Sequence, residues 1–335
     1  MSANHTPFIF FYTHQETENL LINWIKSTIP SAKTSYRRKG WISFKVSLDD
    51  YHLIFKKNFF CPLALRWGSG HSPIKNLDQE NLQFIVNLAH VQKVEHIHIW
   101  GEYSSELLKT IFQDEKYKTF KINEIIPLNE KSLNIYCPME NEFPVGIHTH
   151  NGNQSPYTEA NPNIELPLEA PSRSYLKMAE LDLLHGLKWK EGDTILELGS
   201  APGGISYYLC NKKFHVFSVD PGLPSDILFH FPNYSYLRAS TQQLTTENLN
   251  IQNDVDWIIS DMNLSAPQVL HEIIRAESLL KKPIEGMIMT CKFLKDEDSV
   301  KINEISKTIK KWKPSKKIST YFLFSHGKEC VLVLD

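Results

Sequence analysis

No stretch of this chain holds an uninterrupted apolar run approaching ~18 residues, so no membrane-spanning helix is expected. The first residues, MSANHTPFIFFYTHQ, lack a positive region followed by a long apolar one, and they do not read as a secretory signal. Cysteine is scarce and unpatterned. The five residues Cys61, Cys137, Cys210, Cys291 and Cys330 are odd in number and form no Cys-x-x-Cys pair. That argues against a disulfide framework and against a cysteine zinc site, and it fits free thiols in a reducing cytoplasm. A large charge of either sign is also missing. With a formal net charge of −2 the chain is no general binder of polyanions, and contact with nucleic acid requires local basic patches. No internal repeat is visible.

What is present points to a two-domain α/β protein. A length of 335 residues suggests about two domains, and 41% apolar with 22% charged residues is ordinary globular composition. The stretch Thr194-Ile195-Leu196-Glu197-Leu198-Gly199-Ser200-Ala201-Pro202-Gly203-Gly204 is an apolar run that breaks into a small-residue turn before a helical segment at 205–211. It reads as a buried parallel strand, a tight loop and a helix start. Gly199 and Gly203 let the backbone approach a ligand, and the helix start offers unpaired N–H groups. The spacing is Glu-x-Gly-x-x-x-Gly, which is not the Gly-x-Gly-x-x-Gly of a pyrophosphate site. Such a loop suits a nucleoside with an amino-acid tail, and S-adenosylmethionine is such a molecule.

Around this loop the chain alternates. After a helix at 174–187, strands are expected at 194–198, 214–219, 234–237, 255–260, 286–291, 318–324 and 329–334, with helices at 267–281 and 295–311. That is the pattern of a mostly parallel sheet with helices on both faces. The N-terminal part alternates more loosely. Strands are expected at 7–12, 40–46, 94–100, 133–136 and 146–150, with helices at 15–29, 48–59, 82–91 and 105–112. Arg37-Arg38-Lys39 lies at the turn before the second of these strands, as a solvated end or a phosphate contact. His96 with His98, and His148 with His150, each alternate onto one strand face. No further ligand stands at a readable spacing, so no metal is expected. Residues 151–172, rich in Asn, Pro and Ser, read as a linker or surface strap. The expected division is therefore 1–150, a linker at 151–172, and 173–335.

In an open α/β sheet, ligands bind beyond the carboxyl ends of the parallel strands. Asp220, Asp261 and Lys292 each follow such a strand. The helix at 174–187 feeds the start of the first strand and must descend beside the sheet, which places Ser174 and Lys177 near that strand's carboxyl end. Only residues 325–328 join the last two strands. They are therefore expected to run antiparallel, which brings Glu329 to the same rim. Lys177, Asp261, Lys292 and Glu329 are expected to converge there.

On these residues the sequence resembles the FtsJ-type (RrmJ-type) ribose 2′-O-methyltransferases, which use a Lys-Asp-Lys-Glu tetrad on a Rossmann-like S-adenosylmethionine fold. The matching segments are Ser172 to Lys177, Glu197 to Gly204, Ser260-Asp261-Met262, Cys291-Lys292-Phe293 and Ser325 to Glu329. Residues 145–146, 153–156 and 166–177 further resemble the branch that methylates a cytidine ribose of 23S ribosomal RNA. That branch carries an N-terminal ferredoxin-like and THUMP-type RNA-binding region. The resemblance implies an RNA 2′-O-methyltransferase with ribosomal RNA as partner and S-adenosylmethionine as cofactor. It implies cofactor contacts at Ser174, Gly199, Ala201, Pro202, Gly203, Gly204, Asp220 and Asp261, and Lys292 as proton acceptor. Two positions depart from the pattern: Ile205 stands where the family usually has Trp, and Ser240 lies near where an acidic adenine contact is expected.

Methyl transfer to a ribose hydroxyl needs in-line alignment and removal of one proton. Lysine normally keeps its own proton. A neighbouring Lys177 and partial burial favour the neutral amine at Lys292, whereas Asp261 and Glu329 oppose it. A cytosine carbon-5 methyltransferase with Cys291 as nucleophile is the competing enzyme. That chemistry calls for Pro-Cys after the fourth strand, where Asp261-Met262-Asn263 stands instead. Amino-group methylation calls for an Asn/Asp-Pro-Pro-aromatic loop there, also missing. The non-enzymatic alternative is a methyltransferase-shaped RNA-binding module. Lysines at 281–282, 307, 310–311, 313 and 316–317 serve either as RNA contacts or as a solvated helix face.

Overall fold

Phe8–Tyr12 (β1) is apolar and aromatic throughout, so it can be satisfied only inside a sheet with both faces covered. The structure, a computed structural model, describes residues 6–56, 59–249, 251, 254–295 and 298–335. Its chain separates into two compact units, Met1–Pro162 and Asn163–Asp335. The first five residues of the expected non-signal N-terminus lie outside the described residues. So do 57–58 of the helix expected at 48–59 and 296–297 of the one expected at 295–311.

In the first unit, β1 is followed by α1 (Glu18–Thr28), β2 (Lys33–Arg38), β3 (Trp41–Lys45), α2 (Leu48–Leu53) and β4 (Arg66–Gly70). Then come α3 (Gln79–Val91), β5 (His96–Trp100), α4 (Ser104–Gln113), β6 (Lys121–Ile122), β7 (Lys131–Tyr136) and β8 (Val145–Thr149). The strands form one sheet in the order β2-β3-β1-β4-β8-β7-β5-β6. Phe10 stacks on Trp41 with ring centroids 4.3 Å apart. Leu82, Ile85 and Ala89 of α3 and Leu107 and Ile111 of α4 belong to one buried cluster with Ile97, Leu133 and Ile135 of the sheet. The helix expected at 48–59 ends at Leu53. Three strands, β2, β4 and the two-residue β6, go beyond the sequence reading. β2, KTSYRR, has no apolar alternation because it is an exposed edge, guarded by charge. β4 carries Gly68, where a Cβ would lie 2.0 Å from the Ile147 carbonyl oxygen on β8.

The second unit comprises α5 (Ser174–His185), β9 (Thr194–Leu198), α6 (Gly204–Asn211), β10 (His215–Asp220) and β11 (Tyr234–Arg238). These are followed by β12 (Trp257–Ser260), α7 (Ala266–Ser278), β13 (Gly286–Lys292), α8 (Asp298–Trp312), β14 (Ile318–Tyr321) and β15 (Glu329–Leu334). The sheet order is β11-β10-β9-β12-β13-β15-β14. β9 to β13 run parallel, and β15 lies antiparallel to both β13 and β14. The order reverses at β9, and at such a switch point the loops of neighbouring strands part to leave a crevice. In the β13–β15 pairing, Lys292 stands opposite Glu329. α5 stops at Gly186, which takes a left-handed conformation, two residues earlier than the apolar spacing suggested. β14 stops at Tyr321, short of the expected 324, because the amides of Phe324 and Ser325 donate to Glu180 on α5 instead of to a strand.

Candidate active site

β9 is buried from end to end, and its one carboxylate, Glu197, points into the unit. Glu197 accepts a hydrogen bond from Ser206 Oγ on α6 at 2.5 Å. Burial lifts its pKa to about 8, against the lowering effect of Ser206 and with help from the charges of Asp261 and Asp220. Gly199 follows with φ +80°. A Cβ there would lie 2.6 Å from Met262 Cγ, so the loops after β9 and β12 touch only because this residue is glycine. Gly204 opens α6 beneath Ser172 and Ser174, and a Cβ on it would meet both hydroxyl oxygens at 2.4 Å. The chain entering α5 is thereby laid over the loop. Asp220, last residue of β10, accepts from Ala201 N (3.1 Å) and Gly222 N (2.7 Å) and holds the loop from its other side.

These segments enclose a cleft of about 540 Å³. Ser174, Gly199, Ala201, Pro202, Asp220 and Asp261 line it, together with Lys292, while Gly203 and Gly204 shape the loop behind. Ser240, Thr241 and Gln242 form its far wall, a neutral polar surface at the place where the resemblance implies an acidic residue. Ser240 N donates to Gln243 Oε1, which closes a small capping box.

Lys177, Asp261, Lys292 and Glu329 meet at one edge of this cleft. Lys177 Nζ lies 3.0 and 3.2 Å from the two Asp261 carboxylate oxygens and 2.7 Å from Glu329 Oε1. Burial works against this ammonium, but the two carboxylates outweigh it and its pKa lies above the ordinary lysine value. Lys292 is held differently. Its Nζ donates to the Asp261 backbone carbonyl at 3.2 Å and stands 3.7 Å from Asp261 Oδ1. All four side chains are mostly buried, with 12–19% of their surface exposed. One lysine is thus locked between two carboxylates, and the other lines the cleft on a looser tether.

Two further residues were not legible as site residues. Glu180, one turn beyond Lys177, is 1% exposed and accepts from Phe324 N and Ser325 N at 2.7 Å each. It fixes the turn that delivers Glu329. Its only sequence signal is a carboxylate on the buried face of α5. Ser200 lines the cleft with its hydroxyl buried and without a hydrogen-bond partner among the described residues. An unfilled buried donor in a cleft wall calls for a ligand acceptor.

Other sequence candidates lie elsewhere. Cys291 is fully buried, with Sγ turned to the Met289 carbonyl. Arg37, Arg38 and Lys39 pair with Glu18, Glu142 and Glu102. Lys282, Lys313 and Lys316 pair with Asp256, Glu277 and Glu285. His98 Nδ1 faces the buried Arg66 guanidinium and His148 Nδ1 faces the Asn134 amide, while His96 Nε2 lies 2.9 Å from Glu130. Among the described residues no group of three or more His, Cys, Asp or Glu is placed to hold a metal ion, and no helix is long and apolar enough to cross a membrane.

Residues 170–311 match the family model described as FtsJ-like methyltransferase, a family that draws its methyl group from S-adenosylmethionine. The match includes Lys177, Asp261 and Lys292 and stops before Glu329. Among curated proteins, ribosomal RNA large subunit methyltransferase M of Escherichia fergusonii is 29% identical over 121 residues. Its counterpart in Shigella flexneri serotype 5b is 31% identical over 121 residues. Each alignment covers 34% of this chain and 32% of the relative, so the chain spans about a third of the length of the relatives it matches. Among solved structures, TrmN from Thermus thermophilus is 12% identical with a TM-score of 0.36, covering 98% of this chain and 99% of that one. A score at that level carries no argument.

Proposed function

We propose that the second unit is a Rossmann-like, S-adenosylmethionine-dependent methyltransferase that modifies a ribose 2′-hydroxyl of RNA. The observation that carries this reading is the meeting of two lysines and two carboxylates at the lip of a glycine-looped cleft. By likeness to the large-subunit methyltransferases, the target is a cytidine of 23S ribosomal RNA. The βαββαβ order of β1 to β4, with β1 between β3 and β4, supports a ferredoxin-like module at the start of the first unit. We assign the rest of residues 1–150 to a THUMP-type RNA-binding region.

The cleft fits the methyl donor: Ser200 offers an unfilled hydroxyl, and Gly199 and Gly204 keep the backbone free of side chains. Ser174, Gly199, Ala201, Pro202, Asp220 and Asp261 would hold it, with Gly203 and Gly204 shaping the turn. When bound, the donor supplies a methyl group already activated by a sulfonium. The protein then has to align a hydroxyl and take its proton. Lys177, clamped by Asp261 and Glu329, is a fixed positive charge that orients the ribose oxygen. Lys292 has one carbonyl and a more distant carboxylate oxygen as partners, and it is the amine placed to accept the proton. Asp261 bridges the two lysines.

Replacing Lys292 with Ala should abolish methyl transfer while S-adenosylmethionine affinity, measured by calorimetric titration, stays within a few-fold of wild type. Retained turnover would refute the base assignment. In the same assay Cys291→Ala should stay active, because that thiol is sealed inside β13. An inactive, folded Cys291→Ala protein would instead support carbon-5 chemistry.

A further inference from the structure

We propose that the first unit carries its own pocket for one unpaired nucleotide of an RNA strand. It lies beside β4, between the segment after α2 and the strap that follows β8. This rests on the reading of RNA as substrate and extends it to how the strand is held. The cavity measures about 460 Å³, within the range of about 300–1,000 Å³ usual for small-molecule sites. Its lining is chemically uniform in an informative way. Ile54 and Trp67, 3% and 2% exposed, provide apolar surface, and Phe55 stands at the lip with 47% of its surface exposed. Four primary amides, Asn129, Asn151, Asn153 and Gln154, share the cavity, and among the described residues Lys56 is the one cation and no carboxylate lines it.

Gln154 is the decisive residue. It is 96% buried, from a relative exposure of 4%, and its Oε1 accepts from Trp67 N at 2.9 Å. That bond orients the amide, so Nε2 is the end left over, and it donates to no acceptor among the described residues. With Oε1 committed to the backbone, the Nε2 donor is the end of the amide available to a ligand in the cavity. Asn151 is also pre-set, its Oδ1 accepting from Asn153 N at 3.0 Å.

A primary amide offers a donor and an acceptor side by side, which is the pattern on the edge of a nucleobase. An exposed ring at the lip of an amide-lined cavity is the arrangement on which an unstacked base rests. Lys56 faces solvent at the same mouth, where a phosphate would pass. No described lining residue carries a negative charge that would repel a polyanion.

The test uses the full-length protein and a fluorescently labelled single-stranded oligouridylate of ten residues, followed by anisotropy, with uridine 5′-monophosphate as competitor. Wild type should bind the oligomer, and Phe55→Ala should weaken it by about 5- to 100-fold, as expected for one lost stacking contact. Gln154→Leu should also weaken it. Phe55 is exposed, so its replacement should leave the far-ultraviolet dichroism unchanged and keep the test valid even if Gln154→Leu misfolds. Competition by the monophosphate only at far higher concentration would place the site on a strand. Equal potency per nucleotide would overturn the strand assignment in favour of a free nucleotide. Oligomer binding unmoved by Phe55→Ala overturns the pocket, even where ribosomal RNA is still methylated and the proposed function stands. Conversely, Phe55-dependent binding by a protein that methylates no RNA keeps the pocket and removes the enzyme.

Discussion

Glu197 carries its charge problem in the middle of a buried strand, and that gives the molecule a measurable pH signature. The folded carboxyl, with its pKa raised to about 8, holds its proton more tightly than the unfolded one, whose ordinary value is 4.5. Its stabilising contribution is therefore complete below pH 4.5 and is lost as pH rises through 8. In Glu197→Gln that loss cannot occur. The melting temperature of wild type relative to Glu197→Gln should fall between pH 5 and pH 8.5, and a constant difference would show that the carboxyl is not buried as described. The glycine loop, Asp220, Asp261 and Lys292 were legible because buried parallel strands read as apolar runs that end in polar residues. Ser200 was not, since an unfilled hydroxyl is a property of surroundings that a sequence does not display.

Between elements, the least legible contact is the one that seats Glu329. Glu180 on α5 and the Phe324 and Ser325 amides are some 145 residues apart, and their pairing depends on β15 inserting between β13 and β14. The antiparallel sense of β15 followed from a four-residue connection, whereas its lateral position did not, because short loops constrain direction more than neighbours. Glu180→Ala leaves two amides without their acceptor and frees the turn before Glu329. As a positioning effect this should lower kcat by roughly tenfold or more, about 1.4 kcal/mol, with little change in KM for S-adenosylmethionine. Glu180→Gln, able to keep one of the two bonds, should recover part of the loss. Equal kcat for Glu180→Ala and wild type would remove Glu180 from the account. The N-terminal elements were less legible for the opposite reason. β2 is polar because it is an edge, and β4 is glycine-bearing because β8 crosses it closely.

Across the whole molecule, the two units differ in how they store ionisable groups. The first buries Arg66, 0% exposed, among His98, His148 and His150. Arg66 Nη1 donates to Asn134 Oδ1 at 2.7 Å, and Nη2 donates to the Ser155 carbonyl at 3.0 Å, tying the strap to the sheet. Burial, with Arg66 adding to it, pushes His98 down to about 3 and His150 to about 4, and holds His148 well below the histidine range. These rings are neutral when folded and take up protons on unfolding. Their contribution is complete above pH 6.5 and is lost as pH falls toward 3. The unfolding transition of residues 1–162 should drop steeply between pH 6.5 and pH 4, read by calorimetry. A transition flat across that window would contradict the buried histidine arrangement. His98, His148 and His150 thus form one cluster around the Arg66 guanidinium.

Transfer of a methyl group to a sugar hydroxyl of ribosomal RNA is best tested by mapping ribose methylation in 23S ribosomal RNA from cells with and without this protein. One 2′-O-methylcytidine should vanish in its absence, return with the wild-type chain, and fail to return with Lys292→Ala. An unchanged methylation map, or full restoration by Lys292→Ala, would contradict the account.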